Sequence, residues 1–198
     1  MTQKGMIIGI AGPSASGKTT VAKLLAGQHG AYKTKYSDVL IEYVKGMRNP
    51  IPLDKRHLQE LSTQLRREHG ESYLTEQLRK KLLLVPNKML IIEGNRRMVD
   101  MEFLVSLSEE EGKDLMLLYI DARPDVRWTR MNKRLQAEKK PSVRRPEFDL
   151  LEQDECENEL RLVRDYIRTH GTVIDTSLLS PEEVTDKIRS LFPSQKAA

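Results

Sequence analysis

The stretch Gly12-Pro13-Ser14-Ala15-Ser16-Gly17-Lys18-Thr19 decides how this sequence folds. It matches the phosphate-binding pattern G-x-x-x-x-G-K-S/T at every fixed position. Residues 6–11, just before it, form an apolar run typical of a buried strand, and residues 19–26, just after it, have the apolar spacing of a helix. This order of strand, glycine loop and helix places backbone N–H groups and a helix N-terminus around a phosphate. The stretch therefore predicts a nucleotide-binding loop.

Each part of this loop has a predicted role in holding a nucleotide. Two glycines allow the backbone to curl with its N–H groups turned inward. Lys18 is expected to reach the β- and γ-phosphates as a catalytic residue, and the Thr19 hydroxyl is expected to ligate Mg²⁺. The residues predicted to bind the nucleotide are Gly12, Ser14, Ala15, Ser16, Gly17, Lys18, Thr19 and Thr20.

Length and composition bound the class of protein. The 198 residues, 38% apolar and 31% charged, fit one globular domain with its own core. The net charge of +4 suits anionic small substrates and does not require nucleic acid. Cys156 is the only cysteine, so no intrachain disulfide is expected. The apolar run at Met6 stops at Gly9, so no signal peptide is expected, and a cytoplasmic location is predicted. The longest apolar stretches, 82–85 and 89–92, are too short to cross a bilayer, so no membrane partner is expected.

Asp38 is a candidate catalytic residue beside the loop. Residues 31–36 are consistent with a second strand, and Ser37-Asp38 with the N-cap of a helix through Val44. An Asp at the carboxyl end of such a strand lies where an α/β sheet places its chemistry. Asp38 is therefore either catalytic or only a capping residue, and the sequence leaves both interpretations open.

A pair of helices is predicted between the second and third strands, within an insertion of about residues 48–86. The spacing predicts helices over 54–68 and 72–84, hinged at Gly70, with leucines lining one face of the first helix. Arg66 lies on another face of that helix, where a solvated charge is the default interpretation of an arginine.

The end of the third strand carries a second informative group of residues. Residues 88–93 predict a buried strand that ends in the acid Glu93, followed by Gly94 and the basic pair Arg96 and Arg97. Glu93 is expected to face Mg²⁺ and its waters, and Arg96 to hold an acceptor phosphate with two parallel hydrogen bonds. The alternative is an ordinary strand end with surface charge.

A strongly basic stretch lies between residues 123 and 145, with nine basic residues against two acidic ones. Arg127, Arg130 and Arg134 are three or four residues apart, so they share a helix face and are candidate catalytic residues that contact phosphates. With the loop that follows they predict a lid over about residues 130–146. Only one aromatic residue, Trp128, lies in this stretch, so a nucleic-acid partner is not expected.

Further strands are predicted at 115–121 and 172–175, each next to helical patterns. Alternation of strands and helices along the chain predicts a parallel sheet covered on both faces. The sequence therefore predicts a single α/β domain over residues 1–198.

Taken together, these motifs resemble the P-loop kinases of the nucleoside monophosphate kinase-like superfamily over nearly the whole chain. The similarity is carried by residues 91–96, by residues 121–130, and by residues 58–66 followed by Gly70. The last of these is most similar to the branch related to dephospho-coenzyme A kinase and deoxynucleoside monophosphate kinase. The resemblance implies a P-loop NTPase three-layer sandwich with a five-stranded parallel sheet in the order 2-3-1-4-5, a helical acceptor insertion and a basic lid.

The resemblance also implies an activity and a donor, ATP with Mg²⁺. The implied reaction transfers the γ-phosphoryl group to a small phosphorylated acceptor, a (deoxy)nucleoside monophosphate, held by Arg66 and Arg96. Two residues depart from the family pattern: Glu93 replaces the usual Asp, and Asn95 stands where adenylate kinases carry Phe-Pro. The Asp-x-Asp that typical bacterial dephospho-coenzyme A kinases carry after the second strand is also missing, and only Asp38 is present.

Two alternatives stay open. One is a dephospho-coenzyme A kinase-like activity, and the other, from a different class, is a nucleotide-dependent ATPase or switch that acts with RNA or a protein partner. A GTPase is not expected, because both the Asp-x-x-Gly after the third strand and the Asn-Lys-x-Asp base reader are missing. The acceptor, the choice of ATP or GTP as donor, and the oligomeric state do not follow from the sequence.

Overall fold

The structure, a computed structural model, describes residues 5–85, 89–155 and 158–192. The described strands form one parallel sheet in the order β2-β3-β1-β4-β5, which confirms the predicted order. The strands are β1 (Met6–Ala11), β2 (Tyr32–Lys35), β3 (Met89–Asn95), β4 (Asp114–Asp121) and β5 (Thr172–Asp175). Cys156, and Pro86 at the end of the predicted insertion, lie outside the described residues.

Helices cover both faces of this sheet, as the alternating pattern predicts. They are α1 (Lys18–His29), α2 (Tyr36–Lys45), α3 (Lys55–His69), α4 (Tyr73–Leu82), α5 (Met98–Glu111), α6 (Pro124–Ala137), α7 (Arg145–Glu155), α8 (Asn158–His170) and α9 (Pro181–Arg189). Alternate side chains of β1 enter two cores: Ile7 packs with residues of α2–α5 and α8, and Ile8 and Ile10 pack with residues of α1 and α9. None of the described helices is long and apolar enough to cross a membrane.

The start of α2 differs from the prediction. The helix begins at Tyr36, one residue before the predicted cap, so the second strand ends at Lys35. Lys35 is the N-cap residue, and Asp38 lies in the first turn, where its Oδ2 accepts the Lys35 N–H at 3.1 Å. Ser37-Asp38 as the N-cap was therefore wrong, because the carboxylate reaches back three residues to satisfy an N–H group that the helix leaves unpaired.

The third strand also runs further than its apolar residues. It was predicted to end at Glu93, but β3 continues to Asn95 through a bulge at Gly94, whose φ is 85°. Asn95 is fully buried, and its Nδ2 donates to the carbonyl oxygens of Ile10 at 3.0 Å and Ile92 at 2.8 Å. These bonds join β3 to the end of β1 and hold Glu93 opposite Ile10, next to the phosphate-binding loop.

Candidate functional site

The loop after β1 has the backbone conformation that an anion-binding loop needs. Three of its residues have positive φ: Gly12 at 136°, Ala15 at 59° and Gly17 at 105°. A side chain at Gly12 would also overlap the carbonyl oxygen of Ile120 in β4, so only glycine fits this position. Residues that alternate between the two backbone regions turn successive N–H groups toward one centre, and α1 begins directly after Gly17.

Lys18 and Thr19 lie on the open side of this loop. Lys18 Nζ folds back and donates to the carbonyl oxygen of Pro13. Thr19 and Thr20 are exposed in the first turn of α1. The loop therefore presents an ammonium group, two hydroxyl groups and a helix N-terminus to the same space.

A cavity of about 420 Å³ opens directly above the loop. Its floor is the loop and the first turns of α1, and its walls come from α6, α9 and the segment between β5 and α9. The lining residues are Ala15, Ser16, Gly17, Lys18, Thr19, Thr20, Val21, Arg130, Arg134, Thr176, Leu179, Pro181 and Val184. The lining combines cationic and hydroxyl groups with aliphatic side chains, which suits the phosphates and the base of a nucleotide.

Two of the three predicted basic-helix arginines, Arg130 and Arg134, line this cavity. Arg130 Nη1 lies 2.9 Å from Thr176 Oγ1 and 3.3 Å from the carbonyl oxygen of Ser16, and its Nη2 lies 2.7 Å from the carbonyl oxygen of Thr176. This guanidinium group therefore links the lid helix, the loop and the segment after β5.

The third arginine, Arg127, lies elsewhere. It is buried, its Nε donates to the carbonyl oxygen of Ala122 at 2.8 Å, and its guanidinium group lies 5.8 Å from the centre of the Phe148 ring. Arg127 does not line the cavity. Its role in contacting phosphates stays a prediction.

Thr176 is a site residue that the sequence analysis missed. It is buried, and its hydroxyl group can donate a hydrogen bond to either of two carbonyl oxygens. The Thr176 Oγ1 lies 2.8 Å from that of Ser16 and 3.0 Å from that of Asp121. It therefore ties the ends of β4 and β5 to the phosphate-binding loop. The only available signal was its position directly after a short strand, where an α/β sheet places functional residues.

Glu93, the acid predicted to face Mg²⁺, is buried and pairs with Lys33. Its Oε1 is 3.2 Å from Lys33 Nζ of β2, and the Glu93 side chain is only 3% exposed. No described residue donates a hydrogen bond to its other oxygen, Oε2. A buried carboxylate oxygen without a donor, at the loop that carries the Thr19 hydroxyl, fits a hard cation such as Mg²⁺ or a water bound to it.

The predicted acceptor-binding arginines lie around Asp100 at the start of α5, outside the lining of the cavity. Arg66 Nη2 of α3 is 3.5 Å from Asp100 Oδ1, and both side chains are buried. Asp100 Oδ2 accepts the backbone N–H groups of Arg96 at 2.8 Å and Arg97 at 3.0 Å. Asp100 thus holds Arg66 and the segment carrying Arg96 in one place, which the sequence analysis did not foresee.

Burial is the main cause of the pKa shifts of three groups in this cluster. Burial raises the pKa of Asp100, and hydrogen bonds from the Arg96 and Arg97 N–H groups and the charge of Arg66 oppose this rise. Burial is also the main cause of the lowered pKa of Arg96. Tyr36 packs beside Asp100, and burial together with the Asp100 charge raises the pKa of this phenol well above its ordinary value.

The predicted lid is partly helical. Helix α6 extends through Ala137, and a loop of residues 138–144 leads to α7. Val143 in this loop is fixed to α6, because its carbonyl oxygen accepts from Trp128 Nε1 at 2.9 Å and its N–H donates to Asn132 Oδ1 at 2.7 Å. Closure of this segment over a substrate stays a prediction.

The loop, the cavity and the strand order together define a P-loop nucleotide-binding domain of the NTPase type. Comparison with protein families agrees: the AAA domain family (AAA_18) matches residues 8–160, and the chain belongs to this family. No curated protein matches the chain.

Solved structures share the fold at low sequence identity. A protein of Chloroflexus aurantiacus described as "a putative kinase" has 17% identity and a TM-score of 0.57, over 96% of this chain and 97% of that one. The protein TT1252 from Thermus thermophilus has 18% identity and a TM-score of 0.60, over 96% of this chain and all of that one. At this identity the two structures show that the fold is shared.

Proposed function

We propose that this protein is an ATP- and Mg²⁺-dependent kinase that transfers the γ-phosphoryl group to a phosphorylated nucleoside-type acceptor, such as a (deoxy)nucleoside monophosphate. The observation that carries this proposal is the presence of two separate arginine groups. Arg130 and Arg134 line the nucleotide cavity, whereas Arg66 and Arg96 gather around Asp100 outside its lining. One triphosphate accounts for the first group, and the second, where the charges of Arg66, Arg96 and Arg97 act on the single buried carboxylate of Asp100, supports a second anionic substrate.

Phosphoryl transfer of this kind depends on position and charge neutralisation more than on covalent chemistry by the protein. Lys18, Arg130 and Arg134 would neutralise the transferring phosphoryl group and its leaving oxygen. Thr19 and Glu93 would hold Mg²⁺, which supplies further neutralisation of phosphate charge when it is bound. Asp38 would orient the attacking acceptor oxygen, in addition to its bond to the Lys35 N–H.

The comparisons support a kinase in a limited way. The description of the Chloroflexus aurantiacus protein as a kinase concerns that protein, and the shared fold makes the same reaction the first one to test here. Membership of the AAA domain family supports nucleotide binding at the loop.

The test is turnover with a panel of acceptors. Ribo- and deoxyribonucleoside monophosphates and dephospho-coenzyme A are each supplied with ATP and Mg²⁺, and ADP formation is compared with the acceptor-free rate. At least one acceptor should exceed that background several-fold, and Lys18→Ala should lower its turnover by about 10²-fold or more. Arg96→Ala should raise the KM for the acceptor far more than the KM for ATP.

Two outcomes would change the proposal. Turnover of dephospho-coenzyme A alone would move the acceptor to the dephospho-coenzyme A kinase-like alternative. If every acceptor is inert while RNA or a protein partner stimulates ATP hydrolysis, the kinase proposal is wrong and the switch interpretation replaces it.

A further inference from the structure

A single carboxylate bridges two arginines at the entrance to the acceptor-side cluster. Glu71 lies in the short connection between α3 and α4, directly after Gly70. Its Oε2 is 3.0 Å from Arg97 Nη1 and 3.7 Å from Arg66 Nη1. Arg66 comes from α3, and Arg97 is the N-cap residue of α5, so one anion connects two separate elements.

The burial of these groups is graded. The Arg66 side chain is 5% exposed and that of Asp100, its inner partner, 2%. The Glu71 carboxylate, in contrast, is 62% exposed. No described residue accepts a hydrogen bond from Arg66 Nε, so this buried guanidinium group has donor capacity left. The cluster therefore consists of the buried guanidinium group of Arg66, held by Asp100, and the solvent-exposed carboxylate of Glu71.

Charge balance shows what would follow if Glu71 turned away. Arg66, Arg96 and Arg97 bring three positive charges near Asp100, which pairs with Arg66 from the buried side. Glu71 adds the second carboxylate, against Arg97 and Arg66. Without the Glu71 carboxylate, Arg97 loses this partner and the excess of positive charge at this half-open site grows, so an incoming anion would pair with it.

We propose that Glu71 is an internal substitute for the acceptor's phosphate, occupying the anion site between Arg66 and Arg97 until the acceptor displaces it. This inference rests on the proposed function, since it assumes an anionic second substrate, and it adds Arg97 to the acceptor-binding residues. A carboxylate and a phosphate pair with guanidinium groups in the same bidentate manner, so one can replace the other.

The exchange needs only a side-chain rotation. Arg66 also donates to the carbonyl oxygen of Glu71, which anchors the backbone of this residue while leaving its carboxylate outside. Exposed ion pairs contribute little stability, so displacing the Glu71 carboxylate has a small cost. A neutral acceptor would break the same pair without replacing it, and Glu71 therefore selects for acceptors that carry an anion.

The test measures binding of inorganic phosphate by calorimetry to the full-length protein saturated with a non-hydrolysable ATP analogue and Mg²⁺, so that the β- and γ-phosphate positions of the phosphate-binding loop are occupied. Glu71→Gln keeps the shape of the side chain and removes its charge, and it should tighten phosphate binding about two- to fivefold. The matched control is Glu68→Gln at the end of α3, where the carboxylate accepts from Gln64, lies 4.0 Å from His69 Nε2 and has no arginine partner among the described residues. It changes the net charge equally and should have a smaller effect.

Arg97→Met locates the bound phosphate. It should weaken phosphate binding. In the Arg97→Met background, adding Glu71→Gln should no longer tighten phosphate binding. Equal tightening by Glu71→Gln and Glu68→Gln would overturn the proposal. So would phosphate binding that Arg97→Met leaves unchanged, or no binding even in Glu71→Gln.

Failure of this inference and failure of the proposed function are separable, because phosphate binding is measured without turnover. If phosphate binds as expected and no acceptor is phosphorylated, only the kinase assignment is wrong. If an acceptor is phosphorylated and Glu71→Gln leaves phosphate binding unchanged, only the role of Glu71 is wrong.

Discussion

The ion pair between Lys33 of β2 and Glu93 of β3 is expected to stabilise the sheet beside the nucleotide site. Replacing Lys33 with methionine tests how much it contributes to the free energy of unfolding. The two charges lie 3.2 Å apart, with Glu93 3% exposed and Lys33 21% exposed. At this distance their attraction is about 5 kcal/mol for an effective dielectric constant of about 20. Lys33→Met removes this attraction and leaves the buried carboxylate without a counter-charge.

The net loss is smaller than the attraction, because water reaches the lysine side of the pair. Removing one partner of a buried pair costs about 3–5 kcal/mol, and partial exposure of Lys33 reduces this to about 2–4 kcal/mol. For a domain of this size, the expected fall in Tm is about 5–15 °C. The double variant Lys33→Met/Glu93→Gln should recover part of this loss, since it removes the unpaired charge.

The measurement is urea denaturation at neutral pH, without nucleotide or Mg²⁺, so that no other cation compensates Glu93. Lys35→Met is the matched control: Lys35 lies on the same strand, opposite Glu93 in the backbone register, but Glu93 pairs with Lys33. If Lys33→Met and Lys35→Met lower the free energy of unfolding equally, or Lys33→Met changes it by less than about 0.5 kcal/mol, the reasoning about this pair is refuted.

Two further predictions concern the arginines and Asp100. Arg130→Met should weaken ATP binding by about tenfold or more, because it removes a charged group from the cavity lining. Arg127→Met tests the remaining prediction that Arg127 contacts phosphates: its buried position outside that lining favours an ATP affinity within about twofold and a lower Tm instead. Calorimetric titration compares the two variants, and equal losses of affinity would count against this placement. Asp100 has a raised pKa, so its protonation stabilises the folded state below the ordinary value of 3.8, and this contribution is lost as the pH rises through the raised pKa. We therefore expect the unaltered protein to lose stability relative to Asp100→Asn as the pH rises from about 3.8. Urea denaturation over a pH series measures this difference in the free energy of unfolding, and the opposite slope would contradict the burial argument.

The fold was accessible from local patterns in the sequence. The phosphate-binding loop is a contiguous stretch whose glycines fix its backbone, and the apolar runs around it predicted the strands to within a few residues. The order of the strands came from the family resemblance, and the pairings of β1 with β3 and β4 confirm it. Small errors arose where polar residues act within an element, as with Asp38 in the first turn of α2 and Asn95 at the bulge of β3.

The arrangement of charges around the candidate site came only from the tertiary structure. Arg127 and Arg130 look equivalent on a helix of this composition, but Arg127 is buried with its guanidinium group near the Phe148 ring, whereas Arg130 bonds Thr176. Lys33 and Glu93 are sixty residues apart, and Arg66 and Asp100 thirty-four. Local patterns describe which way a backbone runs and which face is apolar, whereas partners of buried charges depend on how separate elements pack, and no stretch of the sequence contains that information.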